Sequence, residues 1–435
     1  MSGITLGIAG IIVMLAVLFF LRLPAGIGMA LVGFAGVAYI TNPGAALQMT
    51  VTDLWTVFSN YGFTVIPMFM LVGEIVHHAG YSDSLYYATN KWFGHRRGGL
   101  AITTIMASAA FSAISGSNTA TAATMSRVAI PSMEKYKYHP ALNSGSVAAG
   151  ATLGVLIPPS IVLVVYGIYT GQSIGKLFYG NVIPSVICTV LIAATVSVIC
   201  RIHPTWGPRS PKSSWKERFE ALPEALDIIV LFLIIMASLF TGVVTATEAA
   251  ALSCAVGLAI VVIRKKLTWE KFTLSIIDTM RLSAMVFIII AGATIFGKFL
   301  ALTRLPFEAA GAISALHAPR PLILALVLLC YIIGGCIMDA LAFLLISLPI
   351  FFPLVSALGY DPVWFGQVIT IVTTMGSIMP PVGICCYVVH GMARHIPLAT
   401  VFRGSMYYLP AYIVALVVLI LFPYGTVMVL SDLVK

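Results

Sequence analysis

The stretch PSMEKYKYHPALNSGSVAAGATLGVLIPP, residues 131–159, returns 222 positions later as PLVSALGYDPVWFGQVITIVTTMGSIMPP, residues 353–381. Few side chains repeat, but the residues that punctuate the backbone do. Pro131, Tyr138, Pro140, Gly154, Pro158 and Pro159 stand opposite Pro353, Tyr360, Pro362, Gly376, Pro380 and Pro381 without a gap. Glycine and proline are the strongest local markers of backbone geometry. One offset shared by all six positions points to a duplicated architecture, not to two unrelated kinks. In each copy the double proline sits in the centre of a long run without charged residues, 141–172 and 362–391. Two successive prolines withhold helical donors and clash with the preceding turn, so each helix must break there.

Working outward, the rest of the chain is membrane material. Of its 435 residues 60% are apolar and 9% charged, where a soluble domain carries about 25% charged residues. Uncharged stretches long enough to cross a hydrocarbon core of roughly 30 Å recur from end to end, so the expected surroundings are lipid. The net charge of +9 is bunched in short loops, as the positive-inside bias requires. That reading excludes nucleic acid as a partner. The seven cysteines lie mostly in apolar stretches without metal-type spacing and read as packing residues. No basic residues precede the first apolar run and no small-residue cleavage site follows it, so that run reads as a retained span.

The expected order is a span near 3–21 ended by Arg22, a span near 25–40, an interfacial piece near 47–59 and a span near 62–80. A loop with Lys91, His95, Arg96 and Arg97 comes next. The stretch 100–131 is interrupted at Ser115-Gly116-Ser117-Asn118-Thr119. Basic loops flank it on both sides, and its arms, about 15 residues each, are short for easy crossing. It reads as a re-entrant hairpin with its polar tip at mid-membrane. The broken helix 141–172 and a span near 181–200 complete a first repeat, residues 1–200. A basic loop, 201–223, separates it from the second, 224–435. There, spans near 225–241 and 245–263, an interfacial piece near 268–280 and a span near 282–301 lead to a hairpin at 321–353 with Gly334-Gly335 and Asp339 at its middle. The broken helix 362–391 and a span near 405–425 follow. The fold class expected is an all-α polytopic membrane protein of two repeats.

Charge sets the orientation. Arg96, Arg97, Lys135 and Lys137 place the first hairpin on the cytoplasmic side. Arg320 against Glu308 and Asp361 places the second on the far side. Five full spans per half invert the second copy, and both termini face outward. Inverted repeats with broken helices meeting at mid-membrane are the architecture of secondary transporters. Helix ends there leave N–H groups that favour anions and C=O groups that favour cations.

The motifs resemble those of the large membrane subunit of tripartite ATP-independent periplasmic (TRAP) transporters. They run from Ser115 through Thr124, from Ala148 to Gly150 and from Leu156 to Ser160. Ser173–Phe178, Thr247–Ala251, Met338-Asp339-Ala340 and Pro380-Pro381-Val382-Gly383 follow, covering nearly the whole chain in family order. The resemblance implies an elevator-type importer of an organic anion in the bacterial inner membrane, driven by Na⁺ and needing no other cofactor. A small membrane subunit and a periplasmic binding protein are the implied partners. Carried over by position, Ser115, Gly116, Ser117, Asn118, Gly154 and Pro158 form one cation site, and Gly335, Asp339, Thr373, Gly376 and Met379 the other. Ser117, Thr119, Pro159, Ser160, Pro380, Pro381 and Gly383 would line the substrate cavity. Thr374 and Met379 depart from the family pattern, in which an acidic residue and a threonine are common before the second proline pair. The departure leaves open the ion count and the choice between a four-carbon dicarboxylate and a sugar acid such as sialic acid.

Residue by residue, other readings stand beside these. Asp339 either ligates an ion at membrane depth or caps the second hairpin arm. Glu74 and Glu248 sit near span ends, where caps and interhelical hydrogen bonds are at least as fitting. His77, His78 and His390 read as interface anchors, and Arg127 as snorkelling to the cytoplasmic face. Two rival functions remain: a Na⁺/carboxylate symporter needing no binding protein, and an intramembrane hydrolase. The hydrolase needs a Ser–His or paired-Asp constellation at depth, which neither Ser117 nor Asp339 offers in sequence. A channel is disfavoured because an inverted repeat suits alternating access.

Overall fold

A computed structural model describes residues 3–21, 23–308, 311 and 319–432. Arg22, expected to close the first span, lies outside the described residues. Every regular element among them is helical. Among the described residues eight helices are long and apolar enough to cross a membrane, nine if the bent pair Pro43–Phe58 and Tyr61–His78 counts as one span.

The hairpins form where glycine and polar residues interrupt the apolar runs. The first has arms Gly99–Ser115 and Asn118–Lys135, and the second Arg320–Ile337 and Ala340–Ala357. The first hairpin's arms hold 17 and 18 residues, not about 15. The second's hold 18 each, which by length and composition suffice to span. Neither arm of the first hairpin is among the helices long and apolar enough to cross, so length and composition distinguish the two hairpins. The chain turns at Gly116, φ +58°, in the left-handed region that favours glycine. Ser117 then caps the returning arm, with its Oγ accepting the Ala120 N–H.

The first broken helix runs Pro140–Ala151 and Leu153–Leu156, opens at Ile157–Ser160 and resumes as Ile161–Thr170. The second runs Pro362–Gly376, opens at Ser377–Gly383 and resumes as Ile384–Met392. Both proline pairs are joined by cis peptide bonds. Carbonyls freed by such a break must find donors at membrane depth. At the first break the Leu156 carbonyl accepts from the Asn181 side-chain amide and, at 2.8 Å, from Ser185 Oγ. At the second, the Ser377 carbonyl accepts the Cys385 N–H at 3.1 Å.

Two segments depart from the sequence reading. Trp269–Leu302 is one continuous helix of 34 residues, about 51 Å at 1.5 Å per residue, not an interfacial piece followed by a separate span. No proline stands within it, and its glycines, Gly292 and Gly297, fall late. The stretch after Gly80, read as loop, forms the helix Tyr81–Phe93. The long helix packs against Ala25–Ile40 where Gly26 and Gly292 meet: a methyl group on Gly292 would stand 1.9 Å from the Gly26 carbonyl oxygen. Leu398–Met406 crosses Pro140–Ala151 in the same way at Gly145 and Gly404. Small residues at such crossings let backbones approach, the usual device between helices in lipid.

Candidate transport site at the hairpin tips

Each hairpin tip lies against a break. At the first, a methyl group on Gly154 would stand 2.4 Å from the Ser117 carbonyl oxygen and 2.9 Å from the Asn118 nitrogen. One on Gly116 would stand 2.9 Å from the Pro159 carbonyl oxygen. Backbone thus touches backbone, and oxygen atoms crowd the contact. Ser115 Oγ lies 2.9 Å from Thr121 Oγ1, Ser117 Oγ lies 3.1 Å from Thr119 Oγ1, and the Ser117 carbonyl accepts from Thr121 Oγ1 at 2.8 Å. Asn118 Oδ1 is buried and accepts nothing. An orphaned acceptor of this kind has a real cost in a low-dielectric site, and a cation removes it.

The second tip repeats the contact with different atoms. A methyl group on Gly335 would stand 2.7 Å from the Thr373 carbonyl oxygen, and one on Gly376 2.5 Å from the Gly335 carbonyl carbon. The Cys336 carbonyl accepts two N–H groups from the break, Val382 at 3.1 Å and Gly383 at 3.2 Å. Asp339 caps the second arm, with Oδ2 accepting the Leu341 N–H at 3.1 Å. Ser117 and Asp339, 222 positions apart, are therefore both helix caps. Capping does not exhaust the carboxylate: Asp339 is partly exposed to a cavity of 610 Å³ and forms no ion pair among the described residues. The Met379 N–H donates to the Gly376 carbonyl, and the Met379 carbonyl faces Gly383.

A cavity of 470 Å³ opens beside the first tip, where Ser115, Ser117 and Thr119 meet Ile161 and Val388, which follow the two breaks. Of the residues expected in a substrate cavity, Ser117 and Thr119 line it. Pro159, Ser160, Pro380, Pro381 and Gly383 do not. Ser160 is buried as the cap of Ile161–Thr170, Pro380 and Pro381 are exposed elsewhere, and Gly383 is closed in by Phe402. Pro158 lines an apolar groove with Met106 and Val186. Proline pairs create the break, but their rings lack the groups that would line a polar cavity.

The opposite wall is charged, and sequence reasoning assigned none of it to the site. Glu74 and His78 lie one turn apart on Val65–His78. His78 Nε2 is 3.0 Å from Asp278 and 3.7 Å from Glu74. Among the described residues these three are the one cluster of His, Cys, Asp and Glu side chains whose ligand atoms lie close enough together to share a metal ion. His77 Nδ1 lies 3.3 Å from Thr124 Oγ1 on the hairpin. Arg127 lines the same cavity, and Arg281 lines both this cavity and the one at Asp339. Arg127, the one charge between Gly99 and Met133, was the available signal. Asp278 was hidden by reading its segment as interfacial, and Arg281 by falling at the junction between that piece and the next span. Glu248 is a capping-box residue: Oε2 accepts the Thr245 N–H at 2.7 Å. His390 ties its helix to the next loop, with Nδ1 2.9 Å from the Ile396 carbonyl oxygen.

Known proteins match this chain over most of its length. A model of the DctM component of the tripartite ATP-independent periplasmic transporters matches residues 12–425. The sialic acid TRAP transporter large permease protein SiaM of Vibrio cholerae is 31% identical over 94% of this chain and 95% of its own. The C4-dicarboxylate TRAP transporter large permease protein DctM of Pseudomonas aeruginosa is 31% identical over 85% and 86%. The ectoine/5-hydroxyectoine counterpart UehC of Ruegeria pomeroyi is 28% identical over 95% and 96%. Among solved structures, the Alcanivorax borkumensis YdaH transporter superposes with a TM-score of 0.63 at 16% identity, over 89% of this chain and 90% of that one. That last likeness is one of fold. The chain belongs to the DctM component family of tripartite ATP-independent periplasmic transporters and is a membrane permease subunit, not an enzyme.

Proposed function

We propose that this permease imports an organic anion across the bacterial inner membrane by Na⁺ symport, receiving it from a periplasmic binding protein and working beside a small membrane subunit. The observation that carries the reading is the pairing of each hairpin tip with a broken helix. It leaves a buried acceptor without a donor, Asn118 Oδ1, at the first tip; at the second it places the Asp339 carboxylate, whose Oδ2 accepts the Leu341 N–H. Carbonyl, carboxylate and hydroxyl oxygens suit a hard cation, and Na⁺ is here a co-substrate. Ser115, Gly116, Ser117 and Asn118 with Gly154 form one ion locus. Gly335, Asp339, Thr373, Gly376 and Met379 form the other. The substrate occupies the cavity beside Ser117 and Thr119, with Arg127 and Arg281 supplying positive charge. A guanidinium matches a carboxylate in a planar, bidentate way, which favours a four-carbon dicarboxylate or a sugar acid.

Two inverted halves with the site between them imply that the hairpins and broken helices move together against the remaining helices. A dianion entering against 100 mV meets about 4.6 kcal/mol, roughly 2.3 per charge. Two Na⁺ cancel that term and a third makes the cycle electrogenic.

The test is uptake into proteoliposomes holding this chain and its small subunit, under an inward Na⁺ gradient, with and without the binding protein. Uptake requiring Na⁺ and both partners is expected. Gradient-driven uptake without the binding protein would overturn the tripartite reading in favour of a self-sufficient symporter, and uptake indifferent to Na⁺ would overturn the coupling.

A further inference from the structure

Beside the base of the first hairpin the chain gathers cations without acids. Arg96, Arg97, Arg201, Arg209 and Lys212, together with His95, line a pocket of 480 Å³ that contains no acidic residue. None of the five forms an ion pair among the described residues. Glu217, on the short helix that follows, is engaged by Lys91 at 3.5 Å. His95 Nδ1 is buried without a hydrogen-bond partner. Burial, then the nearby Arg218, Arg96 and Lys212, hold His95 below the ordinary imidazole range. The pocket is preformed, because its loop is pinned to the hairpin. The Gly98 N–H donates to the Gly207 carbonyl at 2.9 Å. Tyr138 OH donates to the Pro208 carbonyl at 2.9 Å and accepts the Leu100 N–H at 3.1 Å. Unpaired like charges in a fixed pocket attract a counter-anion, and arginines match phosphate oxygens two at a time.

The helix Val182–Ile202 indicates which anion. It brings Ser197 and Arg201 to the pocket. Its adjoining row of Val186, Val190, Ala194, Val198 and Ile202, four residues apart, is exposed. Residues so spaced share one face of a helix. At the far end of the row, Val186 and Val190 border an apolar groove of 360 Å³. Ala109 of the hairpin and Ile229 and Phe232 of Leu222–Phe240 complete it. From Arg201 back to Val190 the helix rises about 17 Å at 1.5 Å per residue, close to the depth of one leaflet, half of roughly 30 Å. A soluble phosphate would use the pocket and leave the row and groove empty. A phospholipid would use all three.

We propose that this surface binds one anionic phospholipid, with its phosphate in the basic pocket and an acyl chain along the row Val186–Ile202 into the groove. A headgroup with two phosphodiesters neutralises more of the five cations than a headgroup with one, so cardiolipin is expected to bind more tightly than phosphatidylglycerol.

The test uses the permease purified with its small subunit and stripped of lipid, followed by native mass spectrometry and thermal melting. One arm adds cardiolipin, phosphatidylglycerol or phosphatidylethanolamine. The other adds inorganic phosphate or pyrophosphate. Cardiolipin should be retained at least tenfold over phosphatidylethanolamine, with phosphatidylglycerol between them. The triple variant Arg97→Gln, Arg201→Gln, Arg209→Gln should lose the preference, and the matching triple lysine variant should keep most of it. Val190→Trp should weaken retention of the lipid without altering any response to pyrophosphate. Equal retention of cardiolipin and phosphatidylethanolamine by the unmodified protein overturns the proposal, and that comparison needs no variant to fold. Stabilisation by pyrophosphate equal to that by cardiolipin would also overturn it, assigning the pocket to a soluble phosphate.

Discussion

Gly154→Ala is the sharpest perturbation the first tip allows. The added methyl group would sit 2.4 Å from the Ser117 carbonyl oxygen, 2.6 Å from its carbon and 2.9 Å from the Asn118 nitrogen, where ordinary contact begins near 3.4 Å. All three neighbours are backbone, so no side chain can swing aside, and the tip must retreat by about 1 Å. Overpacking of this kind costs about 1–3 kcal/mol. The displaced groups are also the proposed ion ligands, and each 1.4 kcal/mol lost from bound ion is about a tenfold loss of affinity. The half-saturating Na⁺ concentration for uptake should therefore rise about ten- to a hundredfold, with a smaller thermal stabilisation by Na⁺. Gly391→Ala is the control. It lies in the helix Ile384–Met392, meets nothing within 4 Å, and replaces glycine with the best helix former. It should leave Na⁺ dependence unchanged and melting equal or slightly higher. A Gly154→Ala protein whose Na⁺ half-saturation stays within about twofold of the parent, by the same affinity arithmetic, would refute the placement of an ion at this contact.

Three further outcomes follow from the same geometry. Asp339→Asn keeps a good helix cap while removing the charge. Its melting temperature should hold while Na⁺ affinity falls tenfold or more, and Asp339→Ala should lose both. Unchanged Na⁺ dependence in Asp339→Asn would leave the residue as a cap alone. Arg281→Gln withdraws a largely exposed cation from both tip cavities. It should raise the substrate KM about tenfold with stability within about 0.5 kcal/mol, and an unaltered KM would remove Arg281 from the site. His95, held below the ordinary imidazole range by burial and by Arg218, Arg96 and Lys212, takes up its proton in the unfolded chain first. Its contribution is complete above the ordinary imidazole pKa and declines as pH falls below it. Melting in detergent at pH 7.5 and 5.5 should therefore show a larger acid-induced drop for the parent than for His95→Gln.

What the sequence made legible was backbone geometry, because that is written locally. Gly116 and Ser117 turn the first hairpin at the polar interruption, and the proline pairs open both long helices at the expected places. Ser117 and Asp339 cap the returning arms at equivalent positions. Illegible was everything that depends on which faces meet. His78 and Asp278 approach to 3.0 Å across 200 residues of chain, and no periodicity within either segment foretells that contact. Part of the loss was avoidable. A helix needs a reason to end, and nothing between Trp269 and Arg281 supplies one. Reading that segment as one helix would have carried Asp278 and Arg281 inward from the interface.

That continuous helix changes how coupling between the two tips can be argued. Inverted repeats alone place two ion loci in two halves and leave their communication unstated. Here one rigid element, Trp269–Leu302, carries Arg281 to the wall of both tip cavities, while Ile384–Met392 sends Val388 to the first and Ile384 to the second. On the proposed function, an anion held by Arg281 would border both cavities at once, and a charge is felt over about a Debye length of 8 Å in physiological salt and further where water is excluded. On that same proposal, two cations and one anion gathered along this shared wall would favour one another's binding. In the importer proposed above, that mutual stabilisation would suppress movement of the partly loaded site, and it requires no contact between the tips themselves.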